Sequence, residues 1–466
     1  MVGSGPFANV TCAVMTDGAL RCWGYNGQGQ LGTGNTDIIN TAVTVSIGGT
    51  AIAAGGGTYH TCAVLTTGTV KCWGENSYGQ IGDNSTTTRL SPTQVLTPQL
   101  VGFPLADVAT VAVGDRHTCA LTKSGAVKCW GSNSSGQLGD GTTTNRLVAT
   151  DVAGLDGGAV AISAGETHTC ARLATGAVAC WGDFMYGALG DGRLTYSVYN
   201  DGTPVVAPVA TPTTVIASEA TSVVVGENHT CAIVDGGVRC WGHGEFGQLG
   251  SGATIASPGP VSAVGLSDRV SALSRGAHHT CALTFDGGIF CWGENDAGQM
   301  GAWVNGGPNN NALSPVSVPM ARADPDAGLF GGAYRTCAMT ENRLYCWGYG
   351  PSGSLGYLAD QGPQWNPQLV LEPASGFLTS VSLSEKSSCA TTETAFYCWG
   401  DNSYGQIGMG TTDPEFNAPV VMLDVDAGVI GGAAGGAHSC VIGDGGGVRC
   451  AGAAFGASPM DIVELG

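Results

Sequence analysis

Basic side chains are scarce in this sequence. Its 466 residues include 17 lysines and arginines against 36 aspartates and glutamates, and the formal net charge is −19. Nucleic acids and anionic membranes bind proteins through basic surfaces that displace counterions. The composition therefore argues against a nucleic-acid partner and against an anionic membrane surface.

Long apolar runs are also missing, since no stretch approaches the ~20 residues that a membrane-spanning helix needs. We therefore expect no membrane insertion. Residues 1–5 have neither the charged start nor the apolar centre of a secretion signal. We interpret the sequence as a mature chain or an excised fragment, with no signal peptide in it.

Closely spaced cysteines are absent as well, although the chain contains 18 cysteines. Structural zinc sites take cysteines from pairs two to four residues apart, and no such pair occurs here. We therefore expect no metal at these thiols. The cysteines instead form nine pairs at a period of about fifty residues. The pairs are Cys12 with Cys22, Cys62 with Cys72, Cys119 with Cys129, Cys170 with Cys180, Cys231 with Cys240, Cys281 with Cys291, Cys337 with Cys346, Cys389 with Cys398, and Cys440 with Cys450.

Each pair brackets a β-hairpin signature. Between Cys231 and Cys240 the chain reverses at Asp235-Gly236, a dipeptide typical of two-residue hairpin turns. Folding there sets the two cysteines opposite each other on antiparallel strands, at a separation that a disulfide spans. We predict nine disulfides, one within each hairpin. Because disulfides persist in oxidising compartments, we expect an extracellular or cell-surface location. The alternative is a cytosolic protein rich in free thiols.

One repeat unit contains four short apolar segments separated by turn signals. In the third unit they are Val108–Gly114, His117–Thr122, Ala126–Trp130 and Leu147–Val152. Glycine supplies 77 residues and charged residues only 11%, which suits short strands and tight turns. The pattern predicts an all-β chain of nine four-stranded antiparallel repeats, arranged as a β-propeller in one domain over residues 1–466. The predicted repeats are approximately 1–49, 50–106, 107–157, 158–218, 219–267, 268–326, 327–376, 377–426 and 427–466.

The units resemble the regulator-of-chromosome-condensation repeat over nearly the whole chain, in a secreted, cysteine-paired, bacterial-like form. That repeat combines Gly-x-x-His-(Thr/Ser)-x-Ala-Leu-Thr, Gly-x-Val-x-x-Trp-Gly and Asn-x-x-Gly-Gln-Leu-Gly. Here Trp-Gly recurs at Trp23, Trp73, Trp130, Trp181, Trp241, Trp292, Trp347 and Trp399, and the glutamine of the third motif at Gln30, Gln80, Gln137, Gln248, Gln299 and Gln406.

The ninth unit departs from the pattern, because Cys450-Ala451-Gly452 has no tryptophan. The family usually closes seven blades, whereas this sequence has nine units. A nine-bladed ring is favoured, while a seven-bladed ring with two extra units and an open array are the alternatives.

Other motifs predict neither a cofactor nor a metal. Segments 27–32 and 242–247 match the dinucleotide fingerprint Gly-x-Gly-x-x-Gly, but neither opens a helix between two strands. A histidine stands two residues before the first cysteine in six units and could form a metal or proton-transfer ring. We interpret it as structural, holding neighbouring strands by a hydrogen bond. These histidines are His60, His117, His168, His229, His279 and His438.

Candidate binding residues are aromatic residues in insertions that differ between units. Trp303 and Trp365 lie outside the Trp-Gly motif, and a third insertion, 191–214, holds Tyr196 and Tyr199. Aromatic side chains on variable loops are typical of protein recognition. The alternative is that they fold back and cover exposed strand edges.

The resemblance implies no single activity. The founding member of the family is a nuclear exchange factor bound to chromatin, and a secreted inhibitor propeller grips a protein through loops on one face. We expect no enzyme and no catalytic residues, but an adhesin- or inhibitor-like scaffold that binds a protein partner. The alternatives are a self-associating subunit of a surface fibre or lattice and an enzyme acting at the mouth of the channel.

Overall fold

The computed structural model describes most of the chain. The described residues are 2–3, 10–14, 20–24, 26–37, 39–56, 59–98, 103–165, 167–194, 199–200, 203–204, 208–225, 228–276, 278–302, 310–320, 328–332, 334–340, 342–356, 363–374, 376–383, 387–392, 395–402, 407, 415–424, 429–435, 438–443, 448–452 and 456–461. Within them no helix is long and apolar enough to cross a membrane.

The described strands form nine four-stranded antiparallel sheets, here called blades 1–9 in chain order. Blade 1 contains β1 (Val2–Gly3), β2 (Val10–Val14), β3 (Leu20–Gly24) and β4 (Ile39–Val45). Blade 2 contains β5 (Ala51–Gly56), β6 (His60–Leu65), β7 (Val70–Gly74) and β8 (Arg89–Gln94). Blade 3 contains β9 (Val108–Val113), β10 (His117–Thr122), β11 (Val127–Gly131) and β12 (Arg146–Asp151).

Blade 4 contains β13 (Ala159–Ala164), β14 (His168–Leu173), β15 (Val178–Gly182) and β18 (Val209–Ile216). A separate two-stranded sheet of β16 (Tyr199–Asn200) and β17 (Thr203–Pro204) precedes its last strand. Blade 5 contains β19 (Ala220–Val225), β20 (His229–Val234), β21 (Gly237–Gly242) and β22 (Ser257–Ser262). Blade 6 contains β23 (Val270–Arg275), β24 (His279–Thr284), β25 (Ile289–Gly293) and β26 (Ala312–Ser317).

Blade 7 contains β27 (Leu329–Gly331), β28 (Arg335–Thr340), β29 (Arg343–Gly348) and β30 (Gln364–Leu371), with a 3-10 turn at Pro351–Gly353. Blade 8 contains β31 (Leu378–Leu383), β32 (Ser387–Thr392), β33 (Ala395–Asp401) and β34 (Glu415–Asp424). Blade 9 contains β35 (Val429–Gly435), β36 (His438–Gly443), β37 (Val448–Gly452) and β38 (Gly456–Asp461). The strands of each blade fall within one of the nine repeat ranges given by the sequence.

Successive blades pack against each other through their first strands, from β1 against β5 to β31 against β35. In blade 9, β35 also contacts β2 of blade 1, and β37 contacts β4. The prediction of an all-β propeller built from four-stranded antiparallel repeats is confirmed. The contacts between the ninth and first blades bring the two ends of the array together.

Disulfides join the second and third strands within single blades. The described residues contain seven such bonds, in blades 2–8, with Cα atoms 4.1–4.2 Å apart and no free cysteine. Prediction and structure agree for these seven pairs. The bonds join Cys62 to Cys72, Cys119 to Cys129, Cys170 to Cys180, Cys231 to Cys240, Cys281 to Cys291, Cys337 to Cys346, and Cys389 to Cys398.

The cysteines of blades 1 and 9 are described less fully. Cys22 is disulfide-bonded, and the backbone register sets Cys12 opposite it and Cys440 opposite Cys450. The side chains of Cys12, Cys440 and Cys450 lie outside the described part of the chain. The bond within blade 9 therefore stays a prediction.

The tryptophan of the Trp-Gly motif fills the space between blades. Trp130 of blade 3 is fully buried, and its Nε1 donates a hydrogen bond to the carbonyl oxygen of Gln80 in blade 2 at 2.9 Å. A Cβ atom on Gly82 would lie 2.9 Å from that Nε1, and Gly82 has a φ of +76°. Glycine is therefore required where the ring packs. Burying a tryptophan of this kind stabilises a fold by about 3–5 kcal/mol relative to alanine.

Candidate functional site

The repeated histidines tie each blade to the next one. Nε2 of His117 in blade 3 lies 3.0 Å from Oγ1 of Thr169 in blade 4. Thr169 Oγ1 in turn donates to the carbonyl oxygen of Gln137 at 3.1 Å. Because the hydroxyl proton goes to Gln137, His117 must donate from Nε2, which leaves Nδ1 unprotonated. We expected from the sequence that this bond would join neighbouring strands, and the structure shows that it joins neighbouring blades.

The same contact recurs around the ring. Nε2 of each histidine lies 2.8–3.4 Å from the threonine hydroxyl of the following blade. In blade 7 an arginine replaces the histidine: Arg335 Nη2 donates to Ser388 Oγ at 3.2 Å, and Ser388 donates to the Ser354 carbonyl at 2.8 Å. The repeated histidines therefore have a structural contact in the described blades. These histidines are His60, His117, His168, His229 and His279.

Burial lowers the pKa of three of these histidines well below the usual value. The pKa of His117 falls to about 4, mainly through burial and further through the nearby His168. His60 and His279 each have a pKa of about 3, again mainly through burial, with smaller contributions from His117 and His278 respectively. These three rings are therefore neutral at physiological pH.

A glutamine holds the turn after Trp-Gly in blades 1, 2, 3, 5 and 6. In blade 5 the backbone N–H of Phe246 donates to Oε1 of Gln248 at 3.0 Å. The Gln248 carbonyl accepts hydrogen bonds from Trp292 Nε1 and Thr280 Oγ1 of blade 6, at 2.8 and 3.3 Å. The turn is thereby fixed by one bond within itself and by two bonds to blade 6, and these bonds set the position of Phe246.

Three positions next to these repeated contacts change chemistry from blade to blade. One precedes the repeated histidine (Arg335 in blade 7), and one follows Trp-Gly. The third lies two residues before the turn glutamine, which is replaced by Ala188 in blade 4 and by Ser354 in blade 7. We call the three positions together the variable face. Within a blade the second position donates its N–H to the carbonyl of the first, at 2.8–3.0 Å. The described members are Tyr59, Arg116, Thr167, Asn228, His278 and Tyr334 at the first position, Glu75, Ser132, Asp183, His243, Glu294 and Tyr349 at the second, and Gln28, Tyr78, Ser135, Tyr186, Phe246, Ala297 and Ser352 at the third.

Four rings of the variable face meet where blades 4, 5 and 6 adjoin; we call them the ring cluster. The centroids of Tyr186 and His243 are 4.5 Å apart, and those of Phe246 and His278 are 4.9 Å apart with their planes tilted by only 31°. His243 faces Phe246 and His278 edge-on, at 5.7 and 6.4 Å. Tyr186, Phe246 and His278 are half-buried, and His243 is buried.

Carboxylates border the ring cluster. Gln248 Nε2 donates to Nδ1 of His243 at 2.9 Å, so His243 carries its proton on Nε2, 3.3 Å from an oxygen of the exposed Glu245. Burial raises the pKa of Glu294, and Asp296 adds to the rise, while His278 opposes it. Burial also raises the pKa of Asp183 in blade 4. Raised carboxyl pKa values indicate negative charge held without full solvation.

An arginine occupies the corresponding junction of blades 2 and 3. The guanidinium carbon of Arg116 lies 5.2 Å from the ring centroid of Tyr78, and Nη1 donates to Tyr78 Oη at 3.2 Å. Arg116 and Tyr78 occupy the positions that His278 and Phe246 hold at the junction of blades 5 and 6. This scaffold therefore accommodates a guanidinium group over the aromatic residue of its turn.

The residues proposed from the sequence are placed only in part. Trp303 and Tyr196 lie outside the described residues, and Tyr199 is described by its backbone alone, in β16. The strands that flank their insertions end and begin at the variable face, because Gly182 pairs with Val209 and Gly293 with Ala312. The binding role of these three aromatic residues stays a prediction.

Trp365 occupies a position that a residue fills in each of blades 2–8 in the described part of the chain, so it is not peculiar to an insertion, while its binding role stays a prediction. It lies in β30, half-buried, and a Cβ on Gly298 in the turn of blade 6 would come within 3.0 Å of its ring. Leucine makes this contact in blades 2, 3 and 6. The equivalent residues are Leu90, Leu147, Ala210, Pro258, Leu313 and Asn417. A proline two residues later, Pro367 after Trp365, is the sequence signal of the position in six of these seven blades, and blade 3 has Ala149 there.

We expect Trp365→Ala to lower the free energy of unfolding by about 1–2 kcal/mol, roughly half the cost for a fully buried tryptophan. Trp365→Leu, which installs the residue of three other blades, should restore most of that loss. Urea denaturation of the oxidised protein measures both. An unchanged stability of Trp365→Ala would mean that the ring contributes nothing to packing, and would favour the binding role proposed from the sequence.

The described residues contain no group of three or more histidine, cysteine, aspartate or glutamate side chains placed to hold a metal ion. The variable face combines aromatic rings and carboxylates on a disulfide-bonded β-propeller.

The chain belongs to the family of the regulator of chromosome condensation (RCC1). The model of the RCC1-like domain matches residues 7–262, and the RCC1 repeat matches residues 270–299 and 395–442. The ultraviolet-B receptor UVR8 of Arabidopsis thaliana is 33% identical over 253 residues, which are 53% of this chain and 54% of UVR8. The human E3 ubiquitin-protein ligase HERC2 is 28% identical over 318 residues, 66% of this chain but 6% of HERC2.

Solved structures share the fold at low sequence identity. Human WBSCR16 superposes with a TM-score of 0.56 at 19% identity, over 82% of this chain and 98% of that one. Yeast RCC1 (Prp20), solved bound to Kap60, gives a TM-score of 0.52 at 20% identity, over 82% and 88% of the two chains. These structures support the propeller fold, while the chain spans about half the length of UVR8 and a small part of HERC2.

Proposed function

We propose that this propeller is an extracellular or cell-surface scaffold that holds a protein partner against the variable face. The observation that carries the proposal is the contrast between fixed and changing positions. Histidine, threonine, tryptophan and glutamine make the same bonds in blade after blade, while the three adjacent positions differ in charge, size and aromatic character. Rigid scaffolds that present varied side chains are typical of recognition surfaces.

The disulfides support the location outside the cytosol. Seven buried bonds are described, and each closes a hairpin of separation 9 or 10 residues within one blade. Reducing compartments keep such thiols reduced. A relative solved in complex with Kap60 makes protein binding a natural use of the fold.

Self-association into a surface fibre or lattice is the second candidate. Large apolar side chains are exposed at both ends of the blades, Ile255 (69% exposed) on the loop beside the variable face and Phe285 (65%) at a hairpin turn on the opposite side. Contacts between two different surfaces of identical subunits generate open fibres. The partner would then be a second copy of the chain.

We expect the double variant Tyr334→Ser/Tyr349→Ser to lose its partner with little change in melting temperature. Both side chains are exposed in blade 7, at 49% and 37%, and belong to the variable face. Removing aromatic anchors typically costs 2 kcal/mol or more, about thirtyfold in affinity. The measurement is affinity capture by the oxidised protein, followed by titration of the captured protein against the parent chain and the variant.

The matched control is Phe285→Ser, which removes a still more exposed aromatic ring from the opposite side. Capture that survives the double variant but fails in the control would move the binding surface away from the variable face. Sedimentation of the oxidised protein alone separates the two candidates, because a fibre subunit polymerises without a second protein. If both variants capture less partner and also melt at lower temperatures, the loss of capture reflects impaired folding of the variants.

A further inference from the structure

We propose that the ring cluster of Tyr186, His243, Phe246 and His278, together with Glu294 and Glu245, binds an arginine side chain in a basic segment of the partner. The inference rests on the proposed function and names the chemistry recognised at one part of the variable face. Four contiguous rings with two carboxylates beside them, contributed by three blades, combine the two groups that attract a guanidinium ion.

The chain itself provides the geometric precedent. At the junction of blades 2 and 3, Arg116 stands 5.2 Å from the Tyr78 centroid and donates to its hydroxyl. At the junction of blades 5 and 6, Phe246 replaces the tyrosine and His278 replaces the arginine. The second junction keeps an aromatic ring on its turn, Phe246, but this chain supplies no guanidinium group there. A partner's arginine would supply it.

Local charge favours a cation at the ring cluster. The turn segments 182–190, 242–250 and 293–301 contain only acidic charges, with no lysine or arginine. Glu294 is half-buried, and its raised pKa reflects a carboxylate that burial and Asp296 both disfavour. A guanidinium ion beside Glu294 would offset that cost, whereas a neutral group would not.

Arginine suits this surface better than lysine. Its planar guanidinium stacks on aromatic rings and is weakly hydrated, so it loses less solvation than an ammonium group when it is half-buried. The nearly stacked pair of Phe246 and His278 offers an extended flat surface. The net charge of −19 also favours the approach of basic segments.

The test uses the full oxidised chain and a synthetic nine-residue peptide of glycine and serine with three arginines. Its counterpart contains citrulline, which has nearly the shape of arginine but no charge. We expect the arginine peptide to bind at least about tenfold more tightly than the citrulline peptide, measured by calorimetry at low salt. Ring signals of His243 and His278 in NMR spectra should shift on addition of the arginine peptide.

Glu294→Gln removes the charge with minimal change in shape, and Phe246→Ala removes the flat surface. Each should weaken binding of the arginine peptide by about tenfold. The matched control is Glu219→Gln, which removes an exposed carboxylate beside the hairpin turn at Gly176, on the side opposite the variable face. It should leave the affinity unchanged. Melting temperatures verify that each variant is folded.

Equal binding of the two peptides, or no binding, would overturn the inference. Equal weakening by Glu219→Gln and Glu294→Gln would also overturn it, because the attraction would then come from net charge alone. Failure of this inference is distinguishable from failure of the proposed function. If partner capture is lost in Tyr334→Ser/Tyr349→Ser but kept in Glu294→Gln and Phe246→Ala, the variable face still binds the partner, without an arginine at the ring cluster.

Discussion

Reducing the disulfides should unfold the propeller or leave it close to unfolding at room temperature. Each bond closes a loop of about ten residues and, in the chain-entropy model, stabilises its hairpin by about 2–3 kcal/mol. Seven such bonds are described. Their contributions are not strictly additive, but the loss of several exceeds the roughly 5–15 kcal/mol by which folded proteins are stable.

The measurement is urea denaturation of the oxidised protein and of protein reduced under denaturing conditions, with thiols counted by mass spectrometry. A single-hairpin variant that combines Cys119→Ala with Cys129→Ala should lose about 2–3 kcal/mol and leave the other bonds intact. Peptide mapping without reductant should recover nine crosslinks, each within one repeat. A fully reduced protein that keeps its melting temperature would show that the fold does not depend on these bonds, and would remove the main support for an oxidising compartment.

The hairpins could be predicted from the sequence because they are local. Opposition of two cysteines depends only on the short segment between them, and a turn such as Asp235-Gly236 fixes that register. In the structure Cys231 pairs with Cys240 across a turn in which both Asp235 and Gly236 have positive φ. The spacing of the motif was therefore sufficient to infer the register.

Contacts between blades could not be read in the same way. The bond from His117 to Thr169 joins residues 52 positions apart, and that from Trp130 to the Gln80 carbonyl joins residues 50 apart. Both depend on how one sheet rotates against the next, which no local pattern encodes. The repetition of histidine, threonine, tryptophan and glutamine indicated that they matter to each blade, but not which blade each one contacts.

The candidate site could be predicted only in part from the sequence, because its rings come from three blades and meet only in the folded chain. Loops of different length separate Trp-Gly from the last strand, so Trp365 did not align with Leu90 or Leu313. The variable face needed no insertion. A comparison of the residues on either side of the repeated histidine and Trp-Gly would have identified it, and only the structure brings Tyr186, His243, Phe246 and His278 together.

Acid should destabilise the propeller at pH values well above those at which exposed carboxylates titrate. His60, His117 and His279 are buried, with pKa values of about 3, 4 and 3. An unfolded histidine has a pKa of about 6.5, so the unfolded chain binds more protons below that pH. Stability is therefore complete above pH ~6.5 and is lost as the pH falls toward the folded-state values.

The effect is large because three rings act together. Each loses about 1.4 kcal/mol per pH unit in this interval, or about 2 kcal/mol by pH 5, so the three lose on the order of 6 kcal/mol. The carboxyl groups of Asp183 and Glu294 act in the opposite direction, because their pKa values are raised. The lowered pKa of Asp140 adds to acid sensitivity only below about pH 4.

Urea denaturation at pH 7.5, 6.5, 5.5 and 5 measures this loss, and His117→Gln is the informative variant. Glutamine keeps an N–H donor for Thr169 but does not titrate. Because its amide fits the site less well than imidazole, the variant should be about 1 kcal/mol less stable at pH 7.5. Between pH 7.5 and 5 it should lose about 2 kcal/mol less than the parent protein. Partner capture at pH 7.5 should be unchanged, because His117 lies buried between blades and not on the variable face. Equal losses in the parent and His117→Gln would mean that His117 is not the source of the acid sensitivity, and a flat profile in the parent would contradict the neutral, buried state of all three rings.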